Sequence, residues 1–481
     1  MSRVERLWLT LAAVLAVLAL VAALLASRSP EPAGPSPEVR GGAGLGDPYY
    51  PHAGGGGYDV QHYAVQVRAG APGSELQGTT TITATAVQDL DLVHLDLHLT
   101  ARAATVNGLP ATFEQRGDDL GVRAPRVDPA KPALPGGGVF TVTIDYAGDP
   151  GRGAMQNLGA YYRAGNEFVI AGEPFSASLW YPANDHPSDA ATMDFTVSVP
   201  KGVEAICAGR LITHGADPSE AGRDRWSWQV DAPTVTYASF LAVGQYRIEQ
   251  GIADGRPFVH AVSERLSASD QSKALRWLAG TPSAIRRLEE YLGPYPFSGT
   301  GGFVGGVDFY WAGLETAMRP VYSNRGIGSD DLLNHELAHM WLGDTVTLAQ
   351  WNDLFDNEGL ASYAQWLTAT DSDPGDNFRG VYSAGSRSFW SPPLSDPGRE
   401  HLFERVYDRG PAAVHALRSR MGDQAFFAML KVWAQQPGAR SLEDFRRHAD
   451  DATPDDLTGF FREWLDESDR PAATTDNGVV R

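Results

Sequence analysis

At 481 residues the chain is too long for one ordinary domain, and Lys+Arg 39 against Asp+Glu 59 give it a net charge of −20. That balance excludes nucleic acid as a partner, and a hydrophobic share of 43% with 12 Trp supports sizeable cores. Cys207 is the only cysteine, which excludes an intrachain disulfide and any cysteine-based metal site.

The chain opens on a short basic stretch with Arg3 and Arg6, followed by an uncharged, almost wholly apolar run from Leu7 to Ala26. Twenty residues span about 30 Å as a helix, enough to cross a bilayer, and signal-peptide cores are usually about 7–15 residues. Residues 1–26 are therefore expected to be a retained signal anchor, with a cleaved signal after Val21-Ala22-Ala23 as the alternative. Arg3 and Arg6 keep the N-terminus cytoplasmic, so either reading puts the bulk of the chain outside the cytoplasm. Residues 27–56, rich in Pro and Gly, read as a linker.

From Tyr58 the pattern alternates, as in Val60 to Val67, Thr79 to Thr85 and Val139 to Ile144, and it continues through Phe195–Val199 to Tyr237–Leu241. This predicts an all-β, sandwich-like domain over residues 57–250. The period then switches. Gln271 to Leu292 predicts a helix with Leu275, Leu278, Ile285, Leu288 and Leu292 on one face, stopped by Gly293-Pro294. A short strand at Gly302-Phe303-Val304 and further helices fill residues 251–468, and residues 469–481 read as a disordered tail.

Within that second domain lies Asn334-His335-Glu336-Leu337-Ala338-His339, with Glu358 following eighteen residues after His339. On a helix, positions i and i+4 share a face, so both imidazoles can hold one zinc ion while Glu336 reaches the attacking water. Residues 344–357 give a return path, so Glu358 can supply a third ligand from a second helix. Three protein ligands leave a position open, the catalytic arrangement. Asp331-Leu332-Leu333 and Met340-Trp341-Leu342 are apolar enough to bury this helix, and Gly343 ends it. Two histidines and a glutamate on a buried helix need a partner for their polarity.

Other residues remain open on pattern alone. Ala312-Gly313-Leu314-Glu315 can pair its backbone with a peptide while Glu315 takes a charge, or it can be a surface edge strand. Tyr407 opens a helix that runs through His415; its phenol can donate to an oxyanion or be structural. Asp344, Asp353 and Asn357 can support the histidines or cap helices. His186, His260 and His415 read as structural.

The motif in its setting, Trp341-Leu342-Gly343-Asp344 and Asn352 to Gly359, resembles the gluzincin family of membrane alanyl aminopeptidases. The resemblance runs from about Tyr58 to Trp464 and includes Trp180-Tyr181-Pro182-x-Asn184-Asp185-His186-Pro187, Gly293-Pro294-Tyr295-Pro296-Phe297 and Phe460-Phe461-x-x-Trp464-Leu465. It implies a thermolysin-like α+β catalytic domain after the β domain, in a short form without the large helical C-terminal domain of many relatives. His335, His339 and Glu358 then match the zinc ligands, Glu336 the base, and Tyr407 the oxyanion donor. Ala312-Gly313-Leu314-Glu315-Thr316 stands where the family has Gly-Ala-Met-Glu-Asn, so Glu315 matches the glutamate that grips the substrate's α-amine. Glu173 falls where the family often places a second amine-binding acid. The expected function is a one-zinc aminopeptidase acting on peptides with a free N-terminus, outside the cytoplasm and tied to the membrane by its first residues. An endopeptidase or epoxide hydrolase on the same scaffold, or an inactive surface binding protein, are the rival readings.

Overall fold

The computed structural model describes residues 38–151, 160–383 and 386–480. The expected anchor or signal and the start of the expected linker lie outside the described residues. Among the described residues no helix is long and apolar enough to cross a membrane.

The β unit is built around an eight-stranded sheet whose centre pairs Tyr58–Arg68 with Leu76–Ala86 on one side and Ala191–Pro200 on the other. A bulge between Val60 and His62 shifts the alternation, so that Tyr58 and Val60, then Tyr63, Val65 and Val67, are the buried residues of that strand. A four-stranded sheet of Glu204–Cys207, Leu241–Gly244, Glu167–Ile170 and Tyr161–Ala164 lies next to it. Trp228 of the large sheet donates its indole N–H to the Ala205 carbonyl of the small one at 3.1 Å. A three-stranded sheet (Leu92–Asp96, Asp119–Arg123, Thr112–Arg116) completes the unit.

The boundary falls slightly earlier than residue 250. Tyr246–Ala253 pairs along its length with Arg256–Ser263 through the two-residue turn Asp254-Gly255, both at positive φ, and so belongs to the catalytic unit's sheet. That five-stranded sheet continues through Thr300–Val304 and Val321–Tyr322 to the edge strand Gly313–Leu314. Between its second and third strands lie α1 (Ala268–Leu278) and α2 (Thr281–Leu292). These replace the single helix expected from Gln271 to Leu292: Pro282 lacks an amide N–H and fits only a first turn, so a new helix starts beyond Gly280. The expected apolar face is buried across the break.

The remaining α-helices among the described residues are α3 (Asp330–Ala338), α4 (Glu358–Thr368), α5 (Pro374–Ser383), α6 (Val406–Met421), α7 (Asp423–Trp433), α8 (Leu442–Asp451) and α9 (Thr458–Phe461).

The described parts of two segments expected to lack structure are packed instead. In the expected linker, Asp47 is buried and accepts hydrogen bonds from the Trp351 amide at 2.8 Å and from the His186 ring at 3.2 Å, joining the two units. Tyr49 donates to Asp396 and accepts from the Gly398 amide, while Tyr50 packs edge-on against Phe175. At the expected tail, the Asn477 carbonyl accepts from the Trp464 indole at 3.1 Å, and Tyr382 donates to the Pro471 carbonyl. A few aromatic and polar side chains anchor both segments in spite of their loop-like composition.

Candidate active site

Ser329 caps α3 by accepting from the Leu332 amide, and Asp330 and Asp331 favour its positive end. The helical ladder stops at Ala338 rather than at Gly343. A tighter turn carries the chain on, with Trp341 N–H to the Ala338 carbonyl at 3.1 Å. His339 is thus the residue that closes α3, and its ring still meets that of His335, with centroids 4.8 Å apart. The return path runs through Val346–Leu348 and a 3-10 turn, Trp351–Asp356, into α4, whose first residue is Glu358.

His335 Nε2 and His339 Nε2 are 3.2 Å apart, and Glu358 Oε2 lies 3.2 Å from the first and 3.3 Å from the second. A tetrahedral zinc site with bonds of about 2.0–2.1 Å has edges of about 3.3 Å, so these three atoms fit one face of it. Glu358 Oε2 is buried and receives no hydrogen bond from the protein, as expected of an oxygen aimed at a cation. The Leu342 carbonyl, 2.9 Å from His339 Nδ1, fixes the proton there and turns the Nε2 lone pair inward. Burial works to raise the Glu358 carboxyl, but His339 and His335 outweigh it and hold it below the usual carboxylate range.

Acids crowd the same place. Ligand atoms of Glu173, Glu315 and Glu358 lie within 4.8 Å of one another, as do those of Glu315, Glu336 and His339. Burial, followed by the charge of Glu315, pushes both Glu336 and Glu173 well above the usual carboxylate range. Such a cluster is stable as anions only when positive charge enters it.

Tyr407, on the first turn of α6, donates to Glu358 Oε1 at 2.8 Å; the residue is 40% exposed, but desolvation around the hydroxyl and that carboxylate keep the phenol protonated. It reaches Glu358 because α4 and α6 cross at two glycines: a Cβ added to Gly410 would stand 2.7 Å from Gly359 Cα. Gly313 lies on the sheet edge, where an added Cβ would meet Glu336 Oε1 at 2.2 Å. Ala312 is exposed beside it, and its carbonyl holds the Ser323 amide. Glu173 follows the strand Glu167–Ile170 of the β unit. Together these residues line a cleft of about 720 Å³, walled by Tyr310, Trp311, Trp366 and Phe403.

The other expected supports divide. Asn357 donates to the Tyr237 hydroxyl at 3.0 Å, Asp353 forms a capping box with Gln350, and Asp344 is buried with no donor to either carboxylate oxygen. His186, His260 and His415 stand outside the ligand cluster. Sequence reasoning missed Tyr237, which donates to Glu315 Oε1 at 3.1 Å. Nothing distinguishes it from the other 16 tyrosines, because its partners are remote in the chain.

Residues 325–391, which hold the histidines and Glu358, match the model for the peptidase family M1 domain. The whole fold is similar to a mutant M1 zinc metallopeptidase from Deinococcus radiodurans bound to a Tyr-Ser-Ala substrate, at TM-score 0.78 and 27% identity. That likeness covers 90% of this chain and 100% of that one. The chain carries the peptidase family M1 match over residues 325–391 and shares its fold with M1 zinc metallopeptidases. A second M1 structure, bound to L-arginine, has TM-score 0.75 at 27% identity and covers 85% of this chain and 94% of its own. Among curated M1 proteins, human endoplasmic reticulum aminopeptidase 1 is 24% identical over 428 residues, 80% of this chain. The match spans 44% of that relative's length. Aminopeptidase N of Acetobacter pasteurianus is 27% identical over 324 residues, 63% of this chain and 88% of its own. An M1 fold brings zinc with it, and the donor triangle fits that ion.

Proposed function

We propose that the protein is an aminopeptidase that uses one zinc ion, held by His335, His339 and Glu358, to release the first residue of peptides. The observation that carries the reading is the convergence of Glu173 and Glu315 on the metal ligand Glu358. Buried carboxylates at that spacing need a cation beyond the metal, and a peptide's terminal ammonium brings one. An ammonium held there sets the first peptide bond, and no later one, beside the metal position.

Bound at the triangle, zinc supplies Lewis acidity and lowers the pKa of water from about 15.7 towards 7. Glu336 takes the proton of the attacking water and passes it to the leaving amine. Tyr407 donates to the oxyanion as it forms. Ala312 and Gly313, at the edge of the sheet, offer backbone groups to the peptide.

Acetylating the substrate removes the positive charge and adds bulk at Glu315. A charge-assisted contact of this kind is worth roughly 1.5–3 kcal/mol, or about 10–150-fold in kcat/KM. Free peptides should be cut at least that much better than their acetylated forms, and Glu315→Ala should narrow the gap. Equal cleavage of acetylated and free peptides would replace this reading with an endopeptidase.

The compartment is part of the proposal. The apolar run from Leu7 to Ala26 behind Arg3 and Arg6 supports an extracytoplasmic enzyme held to the membrane, with secretion after signal cleavage as the alternative. Protease digestion of intact cells, followed by fractionation, tests it: degradation is expected, and a protected, soluble enzyme would refute it.

A further inference from the structure

The carboxylate of Glu315 is held from across the domain junction. Tyr237 stands in the single 3-10 turn Thr236–Ala238, between Arg223–Thr234 and Leu241–Gly244 of the β unit. Its ring is buried against Trp351, with centroids 5.6 Å apart. Its hydroxyl donates to Glu315 Oε1 at 3.1 Å and accepts from Asn357 Nδ2 at 3.0 Å. Asn357 directly precedes Glu358, so one oxygen atom joins the carboxylate of the acid cluster to the start of the segment bearing a metal ligand.

The turn that carries Tyr237 is itself fixed. Thr236 donates its hydroxyl to Asp185 Oδ1 at 2.7 Å, Ser239 donates to the Thr236 carbonyl at 2.7 Å, and the Ala317 amide donates to the Ala238 carbonyl at 2.8 Å. The last bond staples the β unit to the chain two residues beyond Glu315. With Oε1 engaged, Oε2 of Glu315 receives no donor from the described residues, and the residue lines the cleft. Burial and the neighbouring carboxylates keep the phenol protonated, so the hydroxyl stays a donor to Glu315.

We propose that Tyr237 is a positioning residue for the amine anchor: its hydroxyl pins one oxygen of Glu315, presents the other to the substrate's ammonium, and through Asn357 sets the distance from that ammonium to the metal ligands. The inference rests on the reading of Glu315 as the amine anchor. Tyr237 touches neither substrate nor metal, and its effect passes through Glu315. A freed Glu315 side chain samples other rotamers, and the ammonium then meets a carboxylate that is out of place for part of the time.

The test is Tyr237→Phe in the full chain, which removes the hydroxyl and keeps the ring. Kinetics on matched free and N-acetylated peptides are measured with zinc content and thermal midpoint, in the wild-type and Glu315→Gln backgrounds. We expect full zinc, KM for free peptides raised about 5–20-fold with kcat changed less, and the preference for free over acetylated peptides reduced by a similar factor. In the Glu315→Gln background the same change should add nothing to the loss of preference, since both act on one contact. A preference within twofold of wild type, or losses that multiply across the two substitutions, would overturn the proposal even if the thermal midpoint falls. A wild-type enzyme indifferent to acetylation would instead overturn the anchor reading, and this inference with it.

Discussion

Gly410→Ala should disable the enzyme from a position that makes no contact with substrate. The added methyl would stand 2.7 Å from Gly359 Cα, a backbone atom that cannot rotate away. Carbon atoms settle at about 3.5–4.0 Å, so α4 and α6 must part by about 1 Å. Tyr407 lies three residues before Gly410 on α6 and moves with it; its 2.8 Å bond to Glu358 then stretches beyond hydrogen-bond range. A misplacement of 1 Å costs about 10²-fold in rate, and complete loss of one oxyanion donor about 10²–10³-fold. The expected kcat is therefore 10²-fold down or lower, close to that of Tyr407→Phe, with an overpacking cost of about 1–3 kcal/mol in stability. Because Glu358 neighbours Gly359, metal content is measured in the same preparation and the rate is stated per bound zinc. Gly380→Ala on α5, where an added Cβ meets nothing within 4 Å, is the control and should be neutral or slightly stabilising. A Gly410→Ala enzyme within threefold of the wild-type kcat per zinc would show that the helix crossing does not set Tyr407.

His339→Ala and Glu358→Ala should each drop zinc well below one per chain, while Glu336→Ala keeps the metal and loses turnover; near-full zinc and activity in either ligand variant would refute the donor triangle. Tyr407→Phe should lower kcat about 10²–10³-fold with little change in KM, and a loss under threefold would make the phenol structural. Away from the site, burial and the nearby Arg319 lower His260 to about 3, against about 6.5 in the unfolded chain. Its stabilising contribution is complete above pH 6.5 and is lost as pH falls towards 3, by about 2 kcal/mol between pH 7.5 and pH 5. Urea midpoints at the two pH values should converge by that amount in His260→Leu, and an unchanged gap would remove His260 from the acid response.

The convergence of His335, His339 and Glu358 was legible because it obeys short-range rules: a helical period joins His335 to His339, and Glu358 opens the next α-helix. The strands and the buried face of α1 and α2 were legible for the same reason, the break at Gly280 being concealed by an unbroken apolar rhythm. Tyr407 needed the resemblance to be singled out, since the geometry that aims it is a contact between Gly359 and Gly410, far apart in the chain. Tyr237 could not be found at all: its bond to Glu315 crosses 78 residues and two structural units, and neither partner carries a local signature. The segment around Asp47 misled in the opposite sense. Its Pro and Gly content reads as linker, whereas Asp47, Tyr49 and Tyr50 make it a packed strap.

That strap joins the first described residues to the last third of the chain. Asp47 meets the Trp351 amide across 304 positions, and Tyr49 meets the Gly398 amide across 349. At a synthesis rate of about 5–20 residues per second, Asp47 waits roughly 15–60 s on the ribosome before its partner exists. Asp47 cannot reach Trp351 while the β unit alone has been made, nor can Tyr49 reach Gly398. Strap docking is therefore a late event in biogenesis, and a strap held across both units marks a chain translated at least as far as Gly398.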